Sequence, residues 1–97
     1  MLLLSRFTIS GHSMKPALKE GDSVLVSILP YLFTSPKIGD IIACCKAHSK
    51  SILIKRIKKI EGMQYFVQGD NLQDSLDSRK FGMIEKKSIL GKIVFII

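Results

Sequence analysis

The sequence predicts an all-β domain, a folded-over sheet or partial barrel of short antiparallel strands. Three observations predict it. Apolar, β-branched runs recur at short intervals and are separated by Gly, Asp, Ser and Pro turn signals. Helical periodicity is weak along the whole chain. The length of 97 residues fits one small domain, residues 1–97, with 46% hydrophobic and 24% charged residues, which are ordinary globular values.

The elements follow in order. Met1-Leu2-Leu3-Leu4 is too short for a signal-peptide core and reads as a frayed end or half a strand, with the stub of a membrane anchor as the alternative. Lys15 to Leu18, with Pro16 near its start, is the one expected helical turn. Asp22 to Ile28 is a strand after the turn Glu20-Gly21. Pro30 to Pro36 reads as a loop carrying Tyr31, Leu32 and Phe33. Ile38-Gly39-Asp40 turns into a strand over Ile41–Cys45. Ile52 to Ile60 is a long strand, Glu61-Gly62 its hairpin turn and Gln64–Gln68 the partner. Gly69 to Arg79 is polar and turn-rich. Ser88 to Ile97 closes the domain as a strand expected to be buried on both faces, with Gly91 as a bulge.

Composition narrows the function. Fifteen Lys and Arg against 8 Asp and Glu give a net charge of +7, which invites nucleic acid, an anionic membrane or an acidic partner. Aromatic residues do not interleave with basic ones as a single-strand binding platform requires. Lys58, Lys59, Lys86 and Lys87 therefore read as solvated faces, and nucleic acid is not expected as a partner. No run approaches the roughly 20 apolar residues of a membrane span. The two cysteines, Cys44 and Cys45, are adjacent and too close to bridge. No Cys/His spacing resembles a zinc site, and no EF-hand glutamate closes a calcium loop. No metal or cofactor is expected.

Three segments are unlike generic sheet sequence. Ser10-Gly11-His12-Ser13-Met14-Lys15-Pro16 places a serine between a glycine turn and a proline. Its hydroxyl suits a nucleophile whose own amide stabilises an oxyanion, although serines in turns more often serve as caps. In Ile52-Leu53-Ile54-Lys55-Arg56-Ile57, Lys55 shares a strand face with Leu53 and Ile57. A general base near pH 7 requires burial to hold that lysine well below its free value near 10.4, at about 4.6 kcal/mol; the alternative is a snorkelling surface lysine. Arg56 stays protonated and cannot be the base. In Gly69-Asp70-Asn71-Leu72-Gln73-Asp74-Ser75-Leu76-Asp77-Ser78-Arg79, Ser75 offers a hydroxyl to orient a base. Asp70 and Asp77 offer partners to Arg56 or Arg79. His12 and His48 are rival bases, the first badly placed beside Ser13 and the second in a polar turn.

Taken together, Ser-Met-x-Pro, then Lys-Arg, then Gly-Asp-Asn-x-x-x-Ser-x-Asp-Ser-Arg resembles the type I signal peptidases, Ser-Lys dyad endopeptidases of all-β fold, from about Gly11 to Val94. Gly39-Asp40-Ile41-Ile42 also matches a family segment. The resemblance implies Ser13 as nucleophile, Lys55 as general base, and Ser75 as the hydroxyl that orients the lysine. It implies Asp77 and Arg79 as residues that shape the site, and Met14 and Pro16 as residues that set the nucleophile's turn. Gly11 stands where some members have a serine that assists the oxyanion hole. The family's membrane anchor and large second β-domain are not expected in this chain.

The stretches Leu18-Lys19-Glu20-Gly21-Asp22, Ser35-Pro36-Lys37-Ile38-Gly39-Asp40, Lys55-Arg56 and Asp77-Ser78-Arg79 with Phe81-Gly82 are further similar to the compact nickel-type superoxide dismutase maturation proteases. The function implied is removal of an N-terminal leader or signal peptide from a precursor bound as an extended peptide. The alternative is processing of one dedicated precursor, such as nickel superoxide dismutase. The first would place the protein at a membrane and the second in the cytoplasm. Two other classes compete with these. A self-cleaving repressor has no room for its cleavable segment in the 12 residues before Ser13. A membrane-surface module would use Leu29, Tyr31, Leu32 and Phe33 beside Lys37, and peripheral membrane contact would suit a protease of anchored precursors.

Overall fold

The computed structural model describes residues 3–46 and 48–97. Met1 and Leu2, on which the expected frayed end partly falls, lie outside the described residues. Seven strands make one antiparallel sheet: β1 (Leu4–Thr8), β2 (Ser23–Ser27), β3 (Ile41–Cys44), β4 (Leu53–Glu61), β5 (Gln64–Gln68), β6 (Ile84–Glu85) and β7 (Ile89–Ile96). Their spatial order is β1-β2-β7-β3-β4-β5-β6, so the last strand is inserted between the second and third. The sheet is curled, and period-two alternation gives it an apolar layer on each face. One layer holds Ile42, Cys44, Ile57, Tyr65, Val67, Ile84 and Ile89. The other holds Ile9, Val24, Val26 and Ala43, covered by Met14 and Leu18 from the connection between β1 and β2. Among the described residues, no helix is long and apolar enough to cross a membrane.

Every expected strand forms, with ends shifted by a residue or so. Two short helices were not expected. α1 (Leu29–Phe33) occupies the predicted loop: Pro30 sits in its first turn, where a missing N–H costs nothing, and the Tyr31 hydroxyl donates to Asp40 at 2.7 Å. α2 (Ser78–Phe81) is capped by the Asp77 side chain, which accepts from the Arg79 N–H. Around Pro16 the chain makes successive turns, with the Leu18 N–H donating to the Met14 carbonyl, in place of a regular helical turn.

Two expectations about β7 need correction. Its second half is not buried: Phe95 is 61% exposed, and Val94, Ile96 and Ile97 are also exposed. The reason is pairing. β3 follows β7 only from Ile89 to Lys92, so beyond that point β2 alone lies beside it. Gly91 is not itself the extra residue, because the register slips between Gly91 and Ile89 and again between Phe95 and Ile93. Gly91 is needed for close approach, since a Cβ there would meet the Ser27 carbonyl oxygen at 2.9 Å. Tyr31 is core, whereas Leu29, Leu32 and Phe33 are exposed, as are Lys58, Lys59, Lys86 and Lys87.

Candidate active site

β4 delivers Lys55 to the buried layer. Opposite Ile42 of β3 and on the same face as Leu53 and Ile57, its side chain is only 3% exposed. Burial pulls the amine below its ordinary lysine value, while Asp77 and Cys44 pull it back up and Arg79 adds to the lowering. Among the described residues, no carboxylate bonds to it. The Lys55 ammonium or amine nitrogen, Nζ, donates to Ser75 Oγ at 2.9 Å.

Ser75 is committed on its other side. Its hydroxyl donates to Asp77 Oδ2 at 2.7 Å, and a carboxylate can only accept. The Ser75 proton is thereby spent, so toward Lys55 the oxygen can present only a lone pair. An uncharged Lys55 amine that donates one N–H to Ser75 keeps its own lone pair for another proton. Asp77 is the centre of this network and is fully buried. Burial alone would raise its carboxyl, but the Arg79 guanidinium, the Gly69 N–H and the Ser75 hydroxyl together hold it well below the usual carboxylate range. Arg79 grips it at 2.9 and 3.1 Å, the Gly69 N–H donates at 3.0 Å, and the Arg79 N–H at 3.1 Å.

The loop that carries Ser75 is tied down at its start. Arg56, the neighbour of Lys55 on the opposite face of β4, makes a two-pronged bond to Asp70, with both distances 2.9 Å, and donates to the Gly39 carbonyl at 2.8 Å. Asn71 binds the other side: its N–H donates to the Ser13 carbonyl at 2.8 Å and its Nδ2 to the His12 carbonyl at 3.1 Å.

Ser13 and Lys55 line the same cavity, about 170 Å³, with Phe7, Thr8, Ile9, Ser10 and Met14 on one wall and Ile52, Leu53 and Ile54 on the other. Among the described residues, neither Ser13 Oγ nor the Ser13 N–H has a hydrogen-bond partner. Both groups are thus unspent, and hydrogen bonds between catalytic groups commonly tighten only when substrate binds. Met14 is buried and Leu18 bonds back to its carbonyl, which pins the turn after Ser13 to the core. Gly11 has a φ of 83°, the left-handed region that suits glycine, and its N–H donates to Glu20. His48 lies on a separate shallow surface with Cys45, Lys46 and Lys50, and His12 is exposed and contributes its carbonyl only. Cys44 is buried in the core, its thiol pushed up to about 12 by that burial. Among the described residues, no three His, Cys, Asp or Glu side chains are grouped to hold a metal ion.

The structure therefore brings together Ser13, Lys55, Ser75, Asp77, Arg79 and Met14, with Gly11 at the entry to the Ser13 turn. Two residues with no assigned role in the sequence reading also belong here. Gly69 is one: a Cβ on it would collide with Ser75 Oγ and would come within 2.6 Å of the Ser13 carbonyl. Asn71 is the other.

The signal peptidase family profile, peptidase S26, matches residues 1–63 and 58–97, the whole chain. The protein belongs to this family of serine peptidases. The chain is 54% identical over 33 residues to signal peptidase I of Buchnera aphidicola subsp. Baizongia pistaciae, covering 34% of this chain and 11% of that one. It is 31% identical over 105 residues to mitochondrial inner membrane protease subunit 1 of Xenopus tropicalis, covering 87% and 63%. Against signal peptidase IB of Staphylococcus aureus it is 23% identical over 148 residues, covering 96% and 77%. It thus spans less than two thirds of the length of the first two. All seven candidate site residues fall inside the segments that the family profile matches.

Proposed function

We propose that the protein is a Ser-Lys endopeptidase that removes an N-terminal leader or signal peptide from a precursor protein. The observation that carries this reading is the hydrogen-bond direction at Ser75. Its proton goes to Asp77, so a buried Lys55 can donate to it and keep a lone pair. The cavity shared with Ser13 supplies the nucleophile.

In this mechanism the neutral Lys55 amine takes the proton from Ser13 Oγ as that oxygen bonds to the scissile carbonyl carbon. The Ser13 N–H, unspent in the structure, donates to the oxyanion. Lys55 then gives the proton to the leaving amine as the C–N bond breaks. Water attacks the resulting ester, losing a proton to Lys55, and as the ester C–O bond breaks Lys55 returns that proton to Ser13 Oγ, which frees the leader's new carboxyl group. The substrate binds extended. β1 is a sheet edge, and its Phe7 and Thr8 line the cavity together with Ile9 just beyond it, which supports strand addition there. A cavity of about 170 Å³ is smaller than a typical ligand site and suits small side chains before the cut.

The test is incubation with leader-bearing precursors, a nickel superoxide dismutase precursor and secretory precursors among them, with mass spectrometry of the new N-termini. The protein should produce one defined new N-terminus, and Ser13→Ala and Lys55→Ala should produce none. Cleavage of the dismutase precursor alone would select the dedicated-protease alternative. Retained cleavage by Lys55→Ala would remove the dyad.

A further inference from the structure

The mechanism above relies on the Ser13 N–H but leaves open what keeps that N–H aimed. A trans peptide is planar, so the Ser13 N–H and the His12 carbonyl move as one rigid unit and point in opposite directions. Whatever fixes the His12 carbonyl therefore fixes the oxyanion donor. That carbonyl accepts two hydrogen bonds, one from the Lys15 N–H at 3.2 Å within its own turn and one from Asn71 Nδ2 at 3.1 Å across from the Gly69–Arg79 segment. Both lone pairs of the oxygen are then in use. The next peptide unit is held by the same residue, since the Asn71 N–H donates to the Ser13 carbonyl at 2.8 Å. One asparagine thus holds the carbonyls on both sides of the nucleophile. Donation to a peptide carbonyl also polarises that amide and strengthens its N–H as a donor.

Asn71 does not touch the base. The Lys55 network runs through Ser75, Asp77, Arg79 and Gly69, and Asn71 joins it only through the backbone of the same loop. Asn71 is held in turn by its own carbonyl, which accepts from the Asp74 N–H at 3.1 Å, and by its neighbour Asp70, which is clamped to Arg56.

We propose that Asn71 is a positioning residue for the oxyanion-stabilising amide of Ser13, acting through the carbonyls of His12 and Ser13. This rests on the Ser-Lys reading above. Its effect falls on the transition state, where charge develops at the oxyanion, and leaves substrate affinity and the base's titration in place.

The experiment compares wild type with Asn71→Leu, Asn71→Asp, Ser13→Ala and Lys55→Ala on a quenched fluorescent peptide with alanine at the first and third positions before the cut. Asn71→Leu keeps the backbone N–H and the bulk but loses the donor. Asn71→Asp keeps the shape and sets a carboxylate against the His12 carbonyl. Both should lower kcat about 10- to 100-fold, Asn71→Asp the more, with KM within about twofold of wild type. In Asn71→Leu the acid limb of the pH–kcat/KM profile should stay where wild type has it. Circular dichroism melts confirm that both variants are folded, and if one is not, the other carries the test. Three results would overturn the proposal: kcat within twofold of wild type in a folded variant, a rise in KM that accounts for the loss, or a shifted acid limb in Asn71→Leu. Turnover by Ser13→Ala or Lys55→Ala, or no cleavage by wild type of this peptide or of any leader-bearing precursor, would instead remove the parent reading and this inference with it.

Discussion

Lys55 and Arg56 are adjacent cations on one strand, yet they live in opposite electrostatic worlds. Strand geometry turns them to opposite faces. Arg56 meets a carboxylate, with two charge-assisted bonds to Asp70 and a third bond to the Gly39 carbonyl. Lys55 meets a hydroxyl, and the nearest carboxylate network is turned toward Ser75 and Arg79. The difference teaches how a fold assigns roles to like charges. A cation given a direct counter-ion stays charged and holds structure. A cation buried beside a neutral acceptor is pushed toward its neutral form, which is the form a base needs.

The comparison breaks most sharply at the side chains themselves. Lys55→Ala should abolish turnover in steady-state assays, while Arg56→Lys, which keeps one prong to Asp70, should stay within about tenfold of wild type. Gly69→Ala comes next. Its Cβ would press on the Ser13 carbonyl, a backbone atom that cannot swing aside. We expect about a hundredfold loss of kcat and roughly 2 kcal/mol of destabilisation in denaturant melts.

Arg56→Met should sharpen the other half of the contrast. It removes a partly exposed pair, so about 1–2 kcal/mol of stability should be lost, and activity should fall less than stability suggests. The smallest effect has the opposite sign. The Lys55 amine has a folded-state value below its ordinary one, so between the two the unfolded chain binds a proton that the folded chain releases. The lysine's contribution to stability is present above its ordinary value near 10.4 and is lost as pH falls through the folded value. Lys55→Met should therefore be more stable than wild type near pH 7, with the gain vanishing as pH approaches 10.4. Equal melts at both pH values would show that Lys55 is not burdened by burial.

Much of this was legible in the chain. Period two alone puts Lys55 among Leu53 and Ile57. The polar density of Gly69 to Arg79 marks a loop organised by its own side chains, and the two carboxylates it offers to Arg56 or Arg79 do pair with them, Asp70 with Arg56 and Asp77 with Arg79, a choice between partners that the chain alone leaves open. What stayed hidden depends on distant contact. Asn71 reaches a carbonyl 59 positions away, and no local pattern announces that. Gly69 looks like any turn glycine until Ser13 and Ser75 are seen packed against it. α1 was hidden by Pro30, which punctuates a loop and opens a helix equally well, and the decision came from the Tyr31 hydroxyl finding Asp40. The exposed end of β7 was hidden because an apolar run says nothing about where its neighbouring strand stops.

The most direct test of the central claim is titration of Lys55 itself. Selectively labelled lysine side chains can be followed by NMR across pH, with the Lys55 resonance assigned by its loss in Lys55→Met. Lys55 should give up its proton well below the ordinary lysine value, and the acid limb of kcat/KM should follow the same curve. A Lys55 that titrates at that ordinary value would contradict the claim.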